Sequence, residues 1–475
     1  MKRAYIFVSV HDPLFAAVAR DLRDRHGVET FGALAFGRDQ LPSLESCGVT
    51  WSRIDFISDW LRASGDGEQA DLAFLEKAEI ALGQPNLYTI VGADRHLARL
   101  PYDRMLRLLE ISIRQVEAAL DAVRPDAVIF ESVEGMASWI LYAVAKTRGI
   151  RCIGFDTGRI RGRVAVYNDA CQRWPLARRA FARMQAEGLR PEEHAAAEAF
   201  LADFRTRRPR PVVLGEISSV KKPDIDLAEG FRRMRMTLRR RRVDPDNVTL
   251  DRAGTMLRQR ARRLWRHSRS APLFEVPPPG EKFVLYPLHF QPEASTLVLA
   301  PFFLDQVSLI EDIARSLPVG HRLYVKEHFA SLGRRSVEDY HRIKRIWNVR
   351  LVSPYVDSFD LLERASAVAT ITGTMGWEAI LFERPVVAFG EMFYDDYPLL
   401  LRAGQIPKPE WPRLFQTAVR TWRPDRETLL RYVAAVLEGT VEAKVSLQNP
   451  WTDARVLDEG NVRALSDLTM VAARV

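Results

Sequence analysis

Apolar residues recur along this chain in two registers: short unbroken runs, and segments in which they fall three and four apart. The first run, 4–10, ends at His11-Asp12-Pro13 and is followed by Leu14, Val18 and Leu22 at helical spacing. Residues 105–123 keep a helical period until Arg124-Pro125, where the residue before proline is pushed out of the helical region. A strand at 126–131, a helix at 135–148 capped by Gly149, and a strand at 150–155 follow. Strand, helix and strand joined by short loops predict a parallel sheet. A second such pattern is clearer. Strands are predicted at 282–288, 322–326, 350–353, 367–371 and 385–389, with helices at 304–317, 340–347, 358–365 and 376–382 between them. Five strands alternating with helices predict a doubly wound α/β domain. Helices at 426–437 and 456–471 end the chain.

Between the two patterns the periodicity fades. Arg207-Arg-Pro-Arg-Pro211 marks a boundary, and Pro277-Pro-Pro-Gly280 closes the stretch like a linker. The expected organisation is an N-terminal α/β domain (1–205), a helical insert (206–280), a C-terminal α/β domain (281–440) and a helical tail (441–475). No repeat of the length expected for solenoids or propellers is visible.

Composition narrows the classes. With 475 residues and 47% apolar content, the chain has core enough for several domains, and wholesale disorder is excluded. Three scattered cysteines make neither a disulfide framework nor a zinc site, so a reducing, cytoplasmic compartment is expected. The opening apolar run is too short for a signal peptide. No uncharged apolar stretch reaches the ~18 residues of a membrane span.

The formal charge of +8 is unevenly placed. Residues 231–270 hold fourteen Arg and no Lys against three acids, Asp244, Asp246 and Asp251, a net +11; the other 435 residues sum to −3. The chain is slightly acidic with one basic segment. Within it, Leu257, Ala261, Leu264 and Trp265 form one apolar side of an otherwise arginine-rich helix. That composition suits an interfacial helix on an anionic membrane, which would place the protein on the inner face of the cytoplasmic membrane. A solvated helix pair bridging two domains fits it as well. A nucleic-acid partner is not expected, because neither aromatic interleaving nor a known module accompanies the arginines.

In an open parallel sheet, ligands bind at the carboxyl ends of the strands. In the second domain those ends carry His289, Gln291 and Glu293, then Lys326 and His328, then Thr372, Gly373, Thr374, Gly376 and Glu378. Two glycines and two threonines between a strand and a helix start would present N–H groups to an anion, aided by the helix dipole. Glu378, placed in the first turn, could accept from ribose hydroxyls. The plain alternative makes Thr374 an N-cap and Glu378 a dipole-favoured acid. Lys326 and His328 share one strand face and suit a phosphate or carboxylate, or else a surface salt bridge. In the first domain Glu131 and Glu134 bracket a strand-to-helix loop, and Asp156 precedes Arg159 and Arg161. These are a candidate carboxylate catalyst with acceptor-binding cations, or a turn with an ion pair.

Four stretches carry a resemblance: 286–295 (Tyr-Pro-Leu-His-Phe-Gln-Pro-Glu-Ala-Ser), 325–328 (Val-Lys-Glu-His), 371–379 (Ile-Thr-Gly-Thr-Met-Gly-Trp-Glu-Ala) and 385–390 (Pro-Val-Val-Ala-Phe-Gly) with Phe393-Tyr394. In this order and spacing, the second domain resembles the capsule polysaccharide biosynthesis proteins, a family that includes bacterial Kdo transferases. Phe329 stands where that family has proline, and Glu383 where it favours glycine. The resemblance implies a GT-B-like fold, two Rossmann-like doubly wound domains facing across a cleft with the Arg-rich insert between them. It further implies a metal-independent glycosyltransferase with no cofactor, using a nucleotide sugar (CMP-Kdo-like or a UDP-sugar) and a capsular glycan or its lipid-linked precursor. On that reading Asp156, Glu131 and His328 are catalytic. His289, Gln291, Glu293, Lys326, Thr372, Gly373, Thr374, Gly376 and Glu378 bind the donor, and Glu134, Arg159 and Arg161 face the acceptor. A nucleotide-sugar 2-epimerase or polyol-phosphate transferase on the same scaffold, and a non-catalytic scaffold of a capsule assembly complex, are the alternatives.

Overall fold

The computed structural model describes the chain except for residues 9–11, 66, 84–85, 98, 158–159, 161, 209–226, 329–330, 446–453 and 475. Its strands are β1 (Arg3–Val8), β2 (Thr30–Ala35), β3 (Trp51–Phe56), β4 (Ala127–Phe130), β5 (Arg151–Thr157), β6 (Arg163–Tyr167), β7 (Phe283–Pro287), β8 (Arg322–Lys326), β9 (Val349–Val352), β10 (Ala367–Thr370), β11 (Val386–Ala388), β12 (Leu401–Arg402) and β13 (Thr440–Glu442). They form two sheets. One runs β13-β6-β5-β4-β1-β2-β3, the other β12-β11-β10-β7-β8-β9.

Every pairing in the second sheet is parallel. In the first, β6 pairs antiparallel with both β5 and β13. Each sheet therefore has the strand order of a Rossmann-like domain, with a switch point where the order reverses, between β1 and β4 and between β7 and β10. The strands buried on both faces are the unbroken apolar runs seen in the sequence, such as Ala127–Phe130 and Ala367–Thr370. The architecture is GT-B-like: two doubly wound domains joined by helices.

The last fifty residues differ from the expected tail. β13 extends the first sheet, and the helix Glu459–Ala472 packs on the helix Asp12–His26 of the first domain, where Val462, Leu465 and Leu468 join its core. The helix Arg426–Glu438 lies against Pro175–Glu187 and Pro191–Arg207. The chain thus leaves the second domain and closes back on the first.

The domains meet through an aromatic seam. Trp174 stacks on Phe393 at 4.1 Å, and Phe181 meets Tyr432 edge-on at 5.1 Å. Ion pairs Arg173–Glu391 (2.9 Å), Arg178–Asp396 (2.8 Å) and Arg205–Glu383 (2.9 Å) surround it. Glu383 holds φ 54°, the left-handed conformation in which glycine is favoured after a helix. Its difference from the resembled family is a helix-end matter, remote from the rim residues.

The Arg-rich window forms two helices, Leu227–Val243 and Ala253–Ser270, each docked on a different domain. The first reaches the N-terminal domain through Arg240, which pairs with Asp39 and Asp12. Just beyond it the buried Asp244 accepts from the Ser58 hydroxyl and from the Arg38 amide at 2.8 Å. The second lies on the C-terminal domain, where Arg263 Nε donates to the Leu332 carbonyl at 2.9 Å and Arg266 to that of Arg334. Gly333 is required there: a Cβ on it would lie 2.1 Å from the Arg263 carbonyl oxygen. The boundary motif at 207–211 falls partly outside the described residues. Among the described residues no helix is long and apolar enough to cross a membrane.

Candidate functional site

The switch point of the second sheet is built around His289. The chain leaves β7 at Pro287, and Gln306, at the start of the next long helix, folds back on the loop. Its Oε1 accepts from the His289 amide at 2.8 Å and its Nε2 donates to the His289 carbonyl at 3.0 Å. The imidazole is thereby aimed across to β10, where the Thr372 amide donates to Nε2 at 3.1 Å. The Gly373 amide donates to Thr370 Oγ1 at 3.1 Å, and the Thr372 hydroxyl donates to the Ser295 carbonyl. Loops after two adjacent strands are thus tied into one floor.

The helix Thr374–Leu381 rises from that floor. Its N-cap is Gly373, not Thr374 as the plain reading of the sequence had it, and no side chain caps its first turn. Tyr394 donates to the Gly373 carbonyl at 2.8 Å and lies so close to Gly376 that a Cβ there would sit 2.1 Å from the phenolic oxygen. Gly376 is therefore a packing requirement of the turn.

Glu378 falls in the second turn of this helix, one turn later than the sequence suggested, and is buried at 7% exposure. Burial lifts its carboxyl from 4.5 to about 7, against the pull of Lys326; Asp357 adds to the rise. Lys326 is itself buried and donates to the Pro354 carbonyl at 3.2 Å. His328 is pushed down to about 4 by burial and by the Lys326 charge, so at neutral pH it is a neutral imidazole beside a cation. One charge and one neutral hydrogen-bonding ring therefore stand there.

Three groups missed in the sequence hold this rim. Glu327, between Lys326 and His328, is buried. Its carboxylate accepts from Tyr340 at 2.6 Å, from Arg335 Nε at 3.1 Å and from the His328 amide at 2.7 Å. Arg335 also donates to the His289 carbonyl at 3.2 Å. The alternation of a strand could have disclosed Glu327 as an inward-facing acid; nothing local announces Arg335 or Tyr340 as its partners.

The remaining donor-side candidates support the loop itself. Gln291 Nε2 donates to the Leu304 carbonyl at 2.9 Å, and Glu293 accepts from the Ser295 hydroxyl at 2.9 Å.

In the first domain Glu131 is buried directly after β4, at that sheet's switch point. Glu134 is ion-paired with Arg95. Asp156 is buried and accepts from the Trp174 indole N–H at 2.9 Å, so it secures the tryptophan of the interdomain seam. Arg159 and Arg161 lie outside the described residues.

Residues 281–400 match the family model described as capsule polysaccharide biosynthesis protein. No curated protein gives a match. Among similar solved structures is the Thermosulfurimonas dismutans KpsC beta Kdo 2,4 transferase, 17% identical, covering 66% of this chain and 79% of that one at a TM-score of 0.37. The beta Kdo 2,7 transferase of the same protein is 13% identical over 68% and 79%, with a TM-score of 0.36. A UDP-GlcNAc 2-epimerase from Neisseria meningitidis, bound to UDP-GlcNAc, is 11% identical over 99% and 100%, with a TM-score of 0.30. The family match thus falls on the second α/β domain, the one that carries the floor of His289 and Thr372 and the buried Glu378.

Proposed function

We propose that this chain is a glycosyltransferase that moves a sugar from a nucleotide-sugar donor to a capsular or surface glycan, or to its lipid-linked precursor. The observation that carries the reading is the convergence, at one switch point, of an uncapped helix start, a buried cation and a buried carboxyl with a raised pKa. A phosphate suits the helix start at Thr374, where the first-turn N–H groups and the helix dipole favour negative charge; the Thr372 and Gly373 amides are engaged by His289 and Thr370 and hold the turn in shape. Thr372 is engaged inside the protein and shapes the turn instead of touching the phosphate. Lys326 is placed to balance charge that develops on the departing nucleotide, and neutral His328 to donate a hydrogen bond to it. Such stabilisation needs no metal, so chelation of divalent cations should leave turnover intact. Glu378 takes the ribose: hydroxyls donating to its carboxylate replace the water it lacks. On the acceptor side Glu131, buried at the switch point of the first sheet, and Asp156, which also holds Trp174, are the candidate bases.

Product analysis tests this. Purified protein given a nucleotide sugar and a glycan acceptor should release the nucleotide and lengthen the acceptor only when both are present. An isomerised sugar formed without acceptor would replace the reading with an epimerase, and no consumption of any donor would favour a scaffold.

A further inference from the structure

The helix Ala253–Ser270 is amphipathic, yet it is mounted with its apolar side outward. Leu257 is 61% exposed, Leu264 41% and Trp265 60%, and Ala261 lies exposed among them. At 100° per residue these four fall within one contiguous stripe of the helix surface. The opposite side, through Arg263 and Arg266, is the one that binds the second domain, as the hydrogen bonds to Leu332 and Arg334 show. A helix docked for stability alone would bury its leucines and expose its arginines. Here the helix docks through Arg263 and Arg266 and exposes its leucines, so that among the described residues the apolar stripe stands uncovered.

The flanks of the stripe decide what covers it. Arg258, Arg262 and Arg269 are exposed along one border, and none makes an ion pair among the described residues. The first Arg-rich helix repeats the combination: Phe231 is 69% exposed and Leu238 39%, with Arg235, Arg239 and Arg242 exposed around them. Of the three acids in the window, Asp244 is buried and Asp246 is paired with Arg62, which leaves only Asp251 to offset these charges. Leucine and indole edged by guanidinium groups match a phospholipid interface, with side chains entering the acyl boundary and cations meeting anionic headgroups. A nucleic acid would satisfy the arginines and leave the leucines in water.

We propose that the two Arg-rich helices form a peripheral membrane-binding surface that seats the protein on anionic phospholipid, with Leu257, Leu264 and Trp265 entering the interface. The surface works without nucleotide and stands apart from the donor-site reading.

The test is sedimentation of the full-length protein with vesicles of phosphatidylcholine alone and of phosphatidylcholine with 30% phosphatidylglycerol. The wild-type chain should pellet with the anionic vesicles, at least tenfold more than with the neutral ones, and lose binding as salt is raised. Leu264→Glu with Trp265→Glu should reduce the pelleted fraction at least tenfold, and so should Arg258→Glu with Arg262→Glu and Arg269→Glu. All five positions are exposed, so circular dichroism and the thermal melt should match wild type in both variants. Trp265→Phe should remove a blue shift in tryptophan emission seen on vesicle addition. Equal pelleting with both vesicle types, no pelleting at all, or full binding by the Leu264/Trp265 variant would overturn the proposal. So would tighter binding to an oligonucleotide, or to a soluble acidic protein, than to anionic vesicles.

Discussion

Glu378→Gln is the substitution whose effect the structure defines most closely. It keeps the side chain's size and removes only its charge. In the folded chain burial raises the carboxyl from 4.5 to about 7, the Lys326 charge notwithstanding. A carboxyl that holds its proton more tightly when folded leaves stability untouched below about pH 4.5. Stability then falls as pH rises from about 4.5 to about 7, and stays lower above that. Between pH 5 and pH 8 the linkage amounts to about 2.5 kcal/mol. Glutamine does not titrate. Urea unfolding of the two proteins at pH 5 and pH 8 should therefore show the variant gaining about 2.5 kcal/mol on wild type over that interval. The same carboxylate is assigned to the ribose. A ligand that donates to its ionised form must tighten as pH rises through about 7, and Glu378→Gln should weaken binding and flatten that dependence. A stability difference equal at both pH values would refute the burial argument. Pronounced tightening retained in the variant would refute the ribose assignment.

The other predictions address the supports of the site. Arg335→Ala leaves the buried Glu327 carboxylate without its charge partner and should cost about 3–5 kcal/mol, read in unfolding; Tyr340→Phe, which removes one hydrogen bond, should cost about 1–3 kcal/mol. Gly376→Ala forces a Cβ against Tyr394 and should destabilise by about 1–3 kcal/mol while abolishing donor binding, measured by unfolding and by calorimetry. Asp156→Asn retains an acceptor for Trp174 and should melt like wild type, whereas Asp156→Ala strands the indole N–H and should lose about 1–3 kcal/mol. If Asp156→Asn also keeps turnover, its place is structural and Glu131 becomes the base to test.

What the sequence disclosed follows from how local the signal was. Strands buried on both faces, such as Ala127–Phe130, Arg322–Lys326 and Ala367–Thr370, were legible as apolar runs because both sides of each face the core. Trp51–Phe56 was not recognised because an edge strand exposes much of itself, and Ser52, Arg53 and Asp55 break its apolar run. The three-residue Thr440–Glu442 could not be recognised as a strand of the first sheet, since its partner Arg163–Tyr167 lies more than 270 residues earlier. The rim residues were found because sheet logic places ligands at strand ends. Their buttresses were not: Gln306 and Arg335 grip the His289 backbone from a helix and a loop that only the folded chain brings near. The Arg-rich window was legible as amphipathic, but only the structure shows its apolar side turned outward.

The central claim is that the second domain holds a nucleotide at the His289–Thr372 floor. Titration calorimetry of CMP, UDP, CDP and GDP into the full-length protein tests it most directly. CMP or UDP should give a saturable heat with wild type, at least tenfold weaker with Lys326→Met and with Glu378→Gln at pH 8. Silence from all four nucleotides, or binding that neither substitution alters, would contradict the account.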